Sequence, residues 1–333
     1  MEPPAGQPTT DLAPDALPPP RSILGVAWAA IRGETHDYTA LPLQRAVPLL
    51  AVPMVMEMLM ESLFAIIDVF WVGRLGQEAV AVVGLTESVM TLIYAVAMGI
   101  SVAATAIVAR RIGEKDPAAA ASAAGQVILL GITSAAAMGL VLGFFAPQIL
   151  GWMGAEPAVV AMGGGYARLM LGGNVTVFLI FLINAIFRGA GDAAIAMRSL
   201  WLANAINIVL DLCFIFGWGL FPEMGVAGAA VATNIGRGVG VAYQLWHLTR
   251  RAGRVHVRPH HLRPDVAQCR AILQTAGPGI AQWMIGTTSW LGLFKILALF
   301  GSTALAGYTI AIRIMMFFWM PAWGLSNAGA TLV

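Results

Sequence analysis

The sequence predicts an all-α integral membrane protein: a six-helix first lobe followed by the first two helices of a second, parallel-repeat lobe. Three observations carry this. Of 333 residues, 59% are hydrophobic and only 11% charged, whereas soluble domains carry about 25% charged residues. Apolar runs of about 20 residues, long enough to cross a bilayer, recur along the chain. The chain also aligns with itself, without gaps, at an offset of 225 residues. Nineteen Lys and Arg against seventeen Asp and Glu leave +2 with no basic face, so no nucleic-acid partner is expected. Cys213 and Cys269 sit in different segments and support neither a disulfide framework nor a zinc site.

Residues 1–20 hold seven of the eighteen prolines and no Lys or Arg, which predicts a disordered tail. Residues 22–32 are too short to span and are either an interfacial helix or a plain linker; together 1–40 make the N-terminal segment. Spanning runs follow at 46–72, 79–109, 119–150, 158–187, 196–219, 225–249, 268–299 and 302–333. They are rich in Ala, Leu and Met and lack the alternation of a β-barrel, so they read as helices. The first six form a lobe over 41–249, residues 250–267 a linker, and 268–333 a partial second lobe. Loops on one side carry Arg21, Arg32, Arg45, Arg110, Arg111, Lys115, Arg188, Arg198 and the arginines of 250–270, while those on the other carry only Arg74. The positive-inside rule then makes the N-terminus and the linker cytoplasmic. In the linker, His256, His260 and His261 are mixed with Arg and Pro, the composition of a solvated connector at the headgroups rather than a metal site.

The internal repeat aligns 45–108 with 270–333. Arg45, Ala51, Pro53, Gly76, Ala79, Met90, Gly99, Ser101 and Ala103 meet Arg270, Ala276, Pro278, Gly301, Ala304, Met315, Gly324, Ser326 and Ala328. The offset contains six spans, an even number, so both copies enter the membrane in the same direction, the plan of transporters whose halves rock about a central site. A complete second half would extend to roughly 450 residues, so a truncated or fragmentary sequence is expected.

Ionisable and amide groups inside spans are costly and mark functional sites by default. Glu57, Glu61 and Asp68 share one face of the first span at i, i+4 and i+11. Asn204, Asn207 and Asp211 form a stripe on the fifth; Asn174 and Asn184 lie on the fourth, Thr233 and Asn234 on the sixth, and Glu87 on the second. Asp68 lies about 8 Å from Gly73, the outer end of its span, and Asp211 about 12 Å from Gly219, so the two carboxylates sit at similar depth. If the two spans face one cavity, they form a cation site for H⁺, Na⁺ or a cationic compound; otherwise each carboxylate hydrogen-bonds a neighbouring helix. The second copy carries Gln282, Gly286 and Leu293 where the first has Glu57, Glu61 and Asp68, with Lys295 and Arg313 added. Lys295 is either a functional charge or a snorkelling side chain.

In the stretches PMVMEMLMESLFAIIDVFWVGRLG (53–76), VARRIGEKD (108–116), FRGAGDAAIAM (187–197), NAINIVLD (204–211), GVAGAAVATNIGR (225–237), GPGIAQ (277–282) and ALAGYTIAIRI (304–314), the chain resembles the multidrug and toxic compound extrusion (MATE) family. The resemblance implies a twelve-helix fold of two lobes that exports amphipathic, often cationic compounds against an H⁺ or Na⁺ gradient, with no other cofactor. It carries the family's first-lobe ion site onto Asp68, Asn207 and Asp211 and its helix-bending proline onto Pro53. A substrate cavity lined by Glu57, Glu61, Asn184, Asn204 and Thr233 is expected with it. Three positions depart from the pattern: Glu61 stands where a neutral polar residue is usual, Leu212 replaces a proline, and no glutamate follows Pro278 in span 7. A monomer in the plasma (inner) membrane is expected.

Other readings differ in what they require. A lipid-linked oligosaccharide flippase of the same superfamily would prefer a strongly cationic cavity, whereas this first lobe is acidic. An intramembrane enzyme would show paired Asp-rich motifs or HExxH, and neither is present, so no catalytic activity is expected. A non-transporting fragment is the remaining alternative.

Overall fold

A computed structural model describes residues 23–33, 43–219, 221–250, 253–298 and 322–332, together with Tyr308, Ala311, Met315 and Trp319. The tail at 1–20, most of the eighth span, Arg313 and the side chain of Lys295 lie outside the described residues. The helices are α1 (Ile23–Arg32), α2 (Leu43–Gly73), α3 (Gln77–Gly113), α4 (Pro117–Phe144), α5 (Ala146–Trp152), α6 (Pro157–Gly172), α7 (Val175–Gly189), α8 (Ala193–Phe216), α9 (Val226–Thr249) and α10 (Val266–Ala298). Residues 322–332 are helical too, and no strand occurs among the described residues. Five segments are long and apolar enough to cross a membrane: Ala46–Gly73, Gln77–Gly113, Pro117–Phe144, Pro157–Gly189 and Ala193–Phe216. With 24 and 33 residues, α9 and α10 also have the length, although their polar residues dilute the apolar signal.

Leu63, Ile66, Phe70, Leu140, Phe144 and Val209 point outward and are exposed. Such residues suit contact with lipid or with further membrane helices, and the helical ladders bond most backbone groups internally. α2 runs unbroken through Pro48 and Pro53, each of which removes one ladder bond.

Two spans differ from the sequence-based reading. The third ends at Phe144 and continues as the short helix α5. The fourth, expected as one helix, is divided at 173–174 into α6 and α7. The break is two residues within the single apolar segment Pro157–Gly189, and there Asn174 Nδ2 donates to the Leu171 carbonyl at 2.8 Å, a local bond that competes with the ladder. α1 is docked rather than loose, with Ala29 and Ala30 buried beside Leu49 and Arg198 donating to the Ile31 carbonyl at 2.8 Å.

The linker is fastened down as well. The Gln126 side chain of α4 donates to the carbonyls of His261 and Arg263, both at 2.8 Å, and accepts from the Asp265 backbone N–H at 3.0 Å. Asp265 in turn caps α10 by accepting from the Ala267 and Gln268 backbone N–H groups. The Gln268 N–H holds the Asp265 carboxyl below its ordinary range. The connector keeps the exposed surface that its composition suggested, with Arg258, Pro259, His260, Arg263 and Pro264 at the surface, and one buried glutamine fastens it to α4. Gln126→Leu strands two carbonyls and one N–H, at about 1–3 kcal/mol for each buried group left unsatisfied. Hydrogen exchange over 261–269 is expected to accelerate while α4 itself stays protected; unchanged exchange in the linker would refute the fastening.

The second-lobe segments meet the first lobe reciprocally. Gly99 of α3 lies so close to α10 that a Cβ there would stand 2.7 Å from the Ile280 backbone nitrogen, and at Gly324 a Cβ would stand 2.9 Å from that of Val55. Gly99 and Gly324 are repeat equivalents, and so are Val55 and Ile280, at the same offset of 225. Span 2 thus touches span 7 as span 8 touches span 1. Such an exchange of partners is the signature of a two-fold relation between parallel repeats.

Candidate functional site

α2, α8 and α9 bring the polar residues of the membrane interior together at three successive levels. α2 and α8 run in the same direction, so the Glu57–Glu61–Asp68 face of one meets the Ser199–Asn204–Asp211 stripe of the other level by level.

At the level nearest the linker, Glu57 is 2% exposed. Its Oε1 accepts from Arg188 at 2.9 Å and from Asn184 Nδ2 at 3.0 Å. Asn184 Oδ1 accepts from Ser199 and from Gln244, and Gln244 also donates to Ser199 Oγ at 2.9 Å. Side chains of α2, α7, α8 and α9 thereby close into one buried network. Glu57 and Asn184, expected to line a cavity, are thus shut into this cluster, because Arg188 turns inward instead of joining the loop cations.

At the middle level, Glu61 is half-buried and its Oε2 accepts from Asn204 Nδ2 at 3.2 Å. Above it stand Asp68, Asp211, Asn207 and Thr233. Asp211 is fully buried. With the Asn207 amide oriented to satisfy its neighbours, its oxygen accepts from Thr233 Oγ1 (3.0 Å) and N–H (2.8 Å), while its nitrogen donates to Asp211 Oδ2 at 3.0 Å. Asp211 Oδ1 and Asp68 Oδ1 are both buried without a hydrogen-bond partner among the described residues, and the charges of the two aspartates act on each other. The structure therefore gathers Asp68, Asn207, Asp211 and Thr233 at one level, with two free carboxylate oxygens. Hard oxygen donors of this kind suit a proton or a small hard cation.

One member of the site escaped the sequence reading. Arg237 of α9 is 7% exposed, and the charges of Glu61, Asp68 and Glu87 and the side chain of Tyr94 act on or with its guanidinium. Its Nη1 has no hydrogen-bond partner among the described residues. The signal was available: an arginine inside a span obeys the same rule that singled out the carboxylates. Ser199 and Gln244 gave no such signal, since nothing but packing shows which faces meet.

Fold and site together define a multi-pass helical membrane protein with ionisable groups buried between its spans. The MatE family model matches residues 53–213. A probable multidrug resistance protein NorM of Thermotoga maritima is 31% identical over 288 residues, covering 85% of this chain and 61% of that one. A MOP-superfamily transporter from Pyrococcus furiosus has a solved structure that superposes with a TM-score of 0.80 at 28% identity, covering 91% of this chain and 65% of that one. An outward-facing multidrug resistance MATE transporter superposes with a TM-score of 0.79, also at 28% identity and over 91% of this chain. Together these comparisons liken the chain to the multidrug and toxic compound extrusion (MATE) family. It spans about three fifths of the length of the curated relatives it matches.

Proposed function

We propose that the protein exports small amphipathic, often cationic compounds by alternating access, in exchange for H⁺ or Na⁺ bound at Asp68, Asn207 and Asp211. The observation that carries this reading is the pair of free carboxylate oxygens on Asp68 and Asp211 at one buried level. A carboxylate without a partner in a low-dielectric interior binds a proton or cation more tightly than it does in water. Two at one level cannot both hold a bare charge at low cost, so binding one ion excludes or expels another cation. The multidrug resistance name of the Thermotoga relative supports the substrate class. We place the protein in the plasma membrane as a monomer; the distribution of Lys and Arg supports a cytoplasmic N-terminus and linker.

The decisive test is transport by proteoliposomes loaded with a fluorescent lipophilic cation. An imposed H⁺ or Na⁺ gradient is expected to drive its counter-movement, and failure of both gradients would sink the coupling. The flippase reading gains something from Arg237, which places a cation in the site. Glu61, Asp68, Glu87 and Asp211 still outnumber it, so the interior stays acidic.

Glu61 tests substrate charge. It lies two turns from Asp68 on the same face of α2, on the path from the linker side to the upper level. Glu61→Gln keeps the shape and the bond to Asn204 but removes a charge whose attraction a low dielectric strengthens. Export of cationic compounds is expected to fall several-fold more than that of neutral ones of similar size, read as initial rates in the same vesicles. Equal losses would mean that Glu61 does not select charge.

A further inference from the structure

At the linker end of the bundle, away from the polar levels, a cavity of about 250 Å³ opens between α1, the first turns of α8, the last turn of α9 and the linker. Its polar wall is cationic. Among the described residues, Arg198, Arg250 and Arg254 line it beside the imidazole of His247, with one carboxylate, Asp192. Arg254 Nε stands 3.8 Å from Asp192 Oδ1, and its Nη1 donates to the Ala190 carbonyl at 3.0 Å. Arg250 lies over the Trp246 ring, and Arg198 holds the Ile31 carbonyl. Each of the three guanidinium groups thus has a protein contact that directs it at this end of the bundle. The His247 ring nitrogen Nε2 is buried and has no hydrogen-bond partner among the described residues. The rest of the wall is apolar and includes Leu49 and Phe187.

We infer that this cavity binds the phosphate group of an anionic membrane lipid. Guanidinium groups suit phosphate oxygens, and arginine binds them bidentately. A free anion would have no use for Leu49 and Phe187, whereas a lipid brings the start of its acyl chains to such a wall. The location agrees. The end of α7, the start of α8 and the end of α9 meet here, at the boundary between membrane and water. α1 lies beside the cavity with Trp28 56% exposed and Arg32 over its ring, an arrangement suited to the headgroup layer. The inference needs only the membrane-spanning fold and is independent of the proposed transport.

Native mass spectrometry of the purified chain, offered phosphatidylglycerol or phosphatidylcholine, tests it. The unaltered protein is expected to retain phosphatidylglycerol in preference. Among the described residues Arg250 makes no bond to α1, so Arg250→Gln is expected to leave α1 in place and to weaken retention about fivefold. Arg198→Gln combined with Arg250→Gln should weaken it about thirtyfold, and lysine at both positions should restore most of it. Arg110→Gln with Arg111→Gln removes two charges from the same end of the bundle outside the cavity and should change nothing. Four results would overturn the inference: equal retention of the two lipids; retention untouched by Arg250→Gln; an equal loss in the Arg110 and Arg111 variant, which would reduce the effect to diffuse surface charge; or displacement of the lipid by millimolar inorganic phosphate, which would make the site one for a free anion.

Discussion

On the proposed exchange of drug for cation, asparagine at both Asp68 and Asp211 is expected to leave cells expressing the protein as drug-sensitive as cells without it, at unchanged abundance in the membrane. Asparagine keeps the shape of aspartate and much of its hydrogen bonding, so Asp211→Asn leaves the contact with Asn207 within reach. What disappears is the capacity to take up and release a positive charge. A carrier that cannot bind the driving ion has no differential affinity through which a gradient shifts its conformations. Each single substitution should leave one carboxylate, and the ion dependence of transport, measured in vesicles, should then flatten rather than vanish. Full resistance in the double variant would leave both aspartates as structural hydrogen-bonding groups and refute the coupling.

Arg188→Leu should be the most destabilising single change in the first lobe. It removes the positive partner of Glu57 while leaving that carboxylate buried at 2% exposure, with only Asn184 to bond. Breaking a buried pair from one side costs about 3–5 kcal/mol, more than the pair itself contributes, because the remaining charge has lost its compensation. A large drop in apparent melting temperature in detergent, with a lower folded yield, is the expected readout. Adding Glu57→Gln to Arg188→Leu should recover most of the loss, since the glutamine carries no charge to strand. If Arg188→Leu melts like the unaltered protein, the network joining α2, α7, α8 and α9 contributes little to stability.

The first five spans were legible because an apolar run of membrane length leaves few alternatives. The break at 173–174 in the fourth span was not legible: Gly172, Gly173 and Asn174 are all tolerated inside a membrane helix. Likewise, Gln126 looks like any polar residue in an Ala-rich helix until the linker is folded over it. For the site, the spacing of Glu57, Glu61 and Asp68 put them on one face of α2, but spacing does not name the neighbouring helix. Whether a carboxylate finds an arginine, as Glu57 does, or an oxygen left free, as Asp68 does, is settled by packing. Arg237 is the exception, since its type and position sufficed to find it.

The paired glycines have a mechanical consequence. Gly99 against Ile280 and Gly324 against Val55 are two backbone-to-backbone contacts related by the repeat, so they sit at equal depth on either side of its axis. Two points at one depth define a line in the plane of the bilayer. A rocking of one lobe against the other about that line keeps both contacts closed, while a slide or a rotation about any other line must prise one of them apart. Under the proposed alternating access, the glycines would act as the two ends of an axle. An axle works only if both bearings are equally slim, which is reason enough for a residue without a side chain to stand at the same place in each copy.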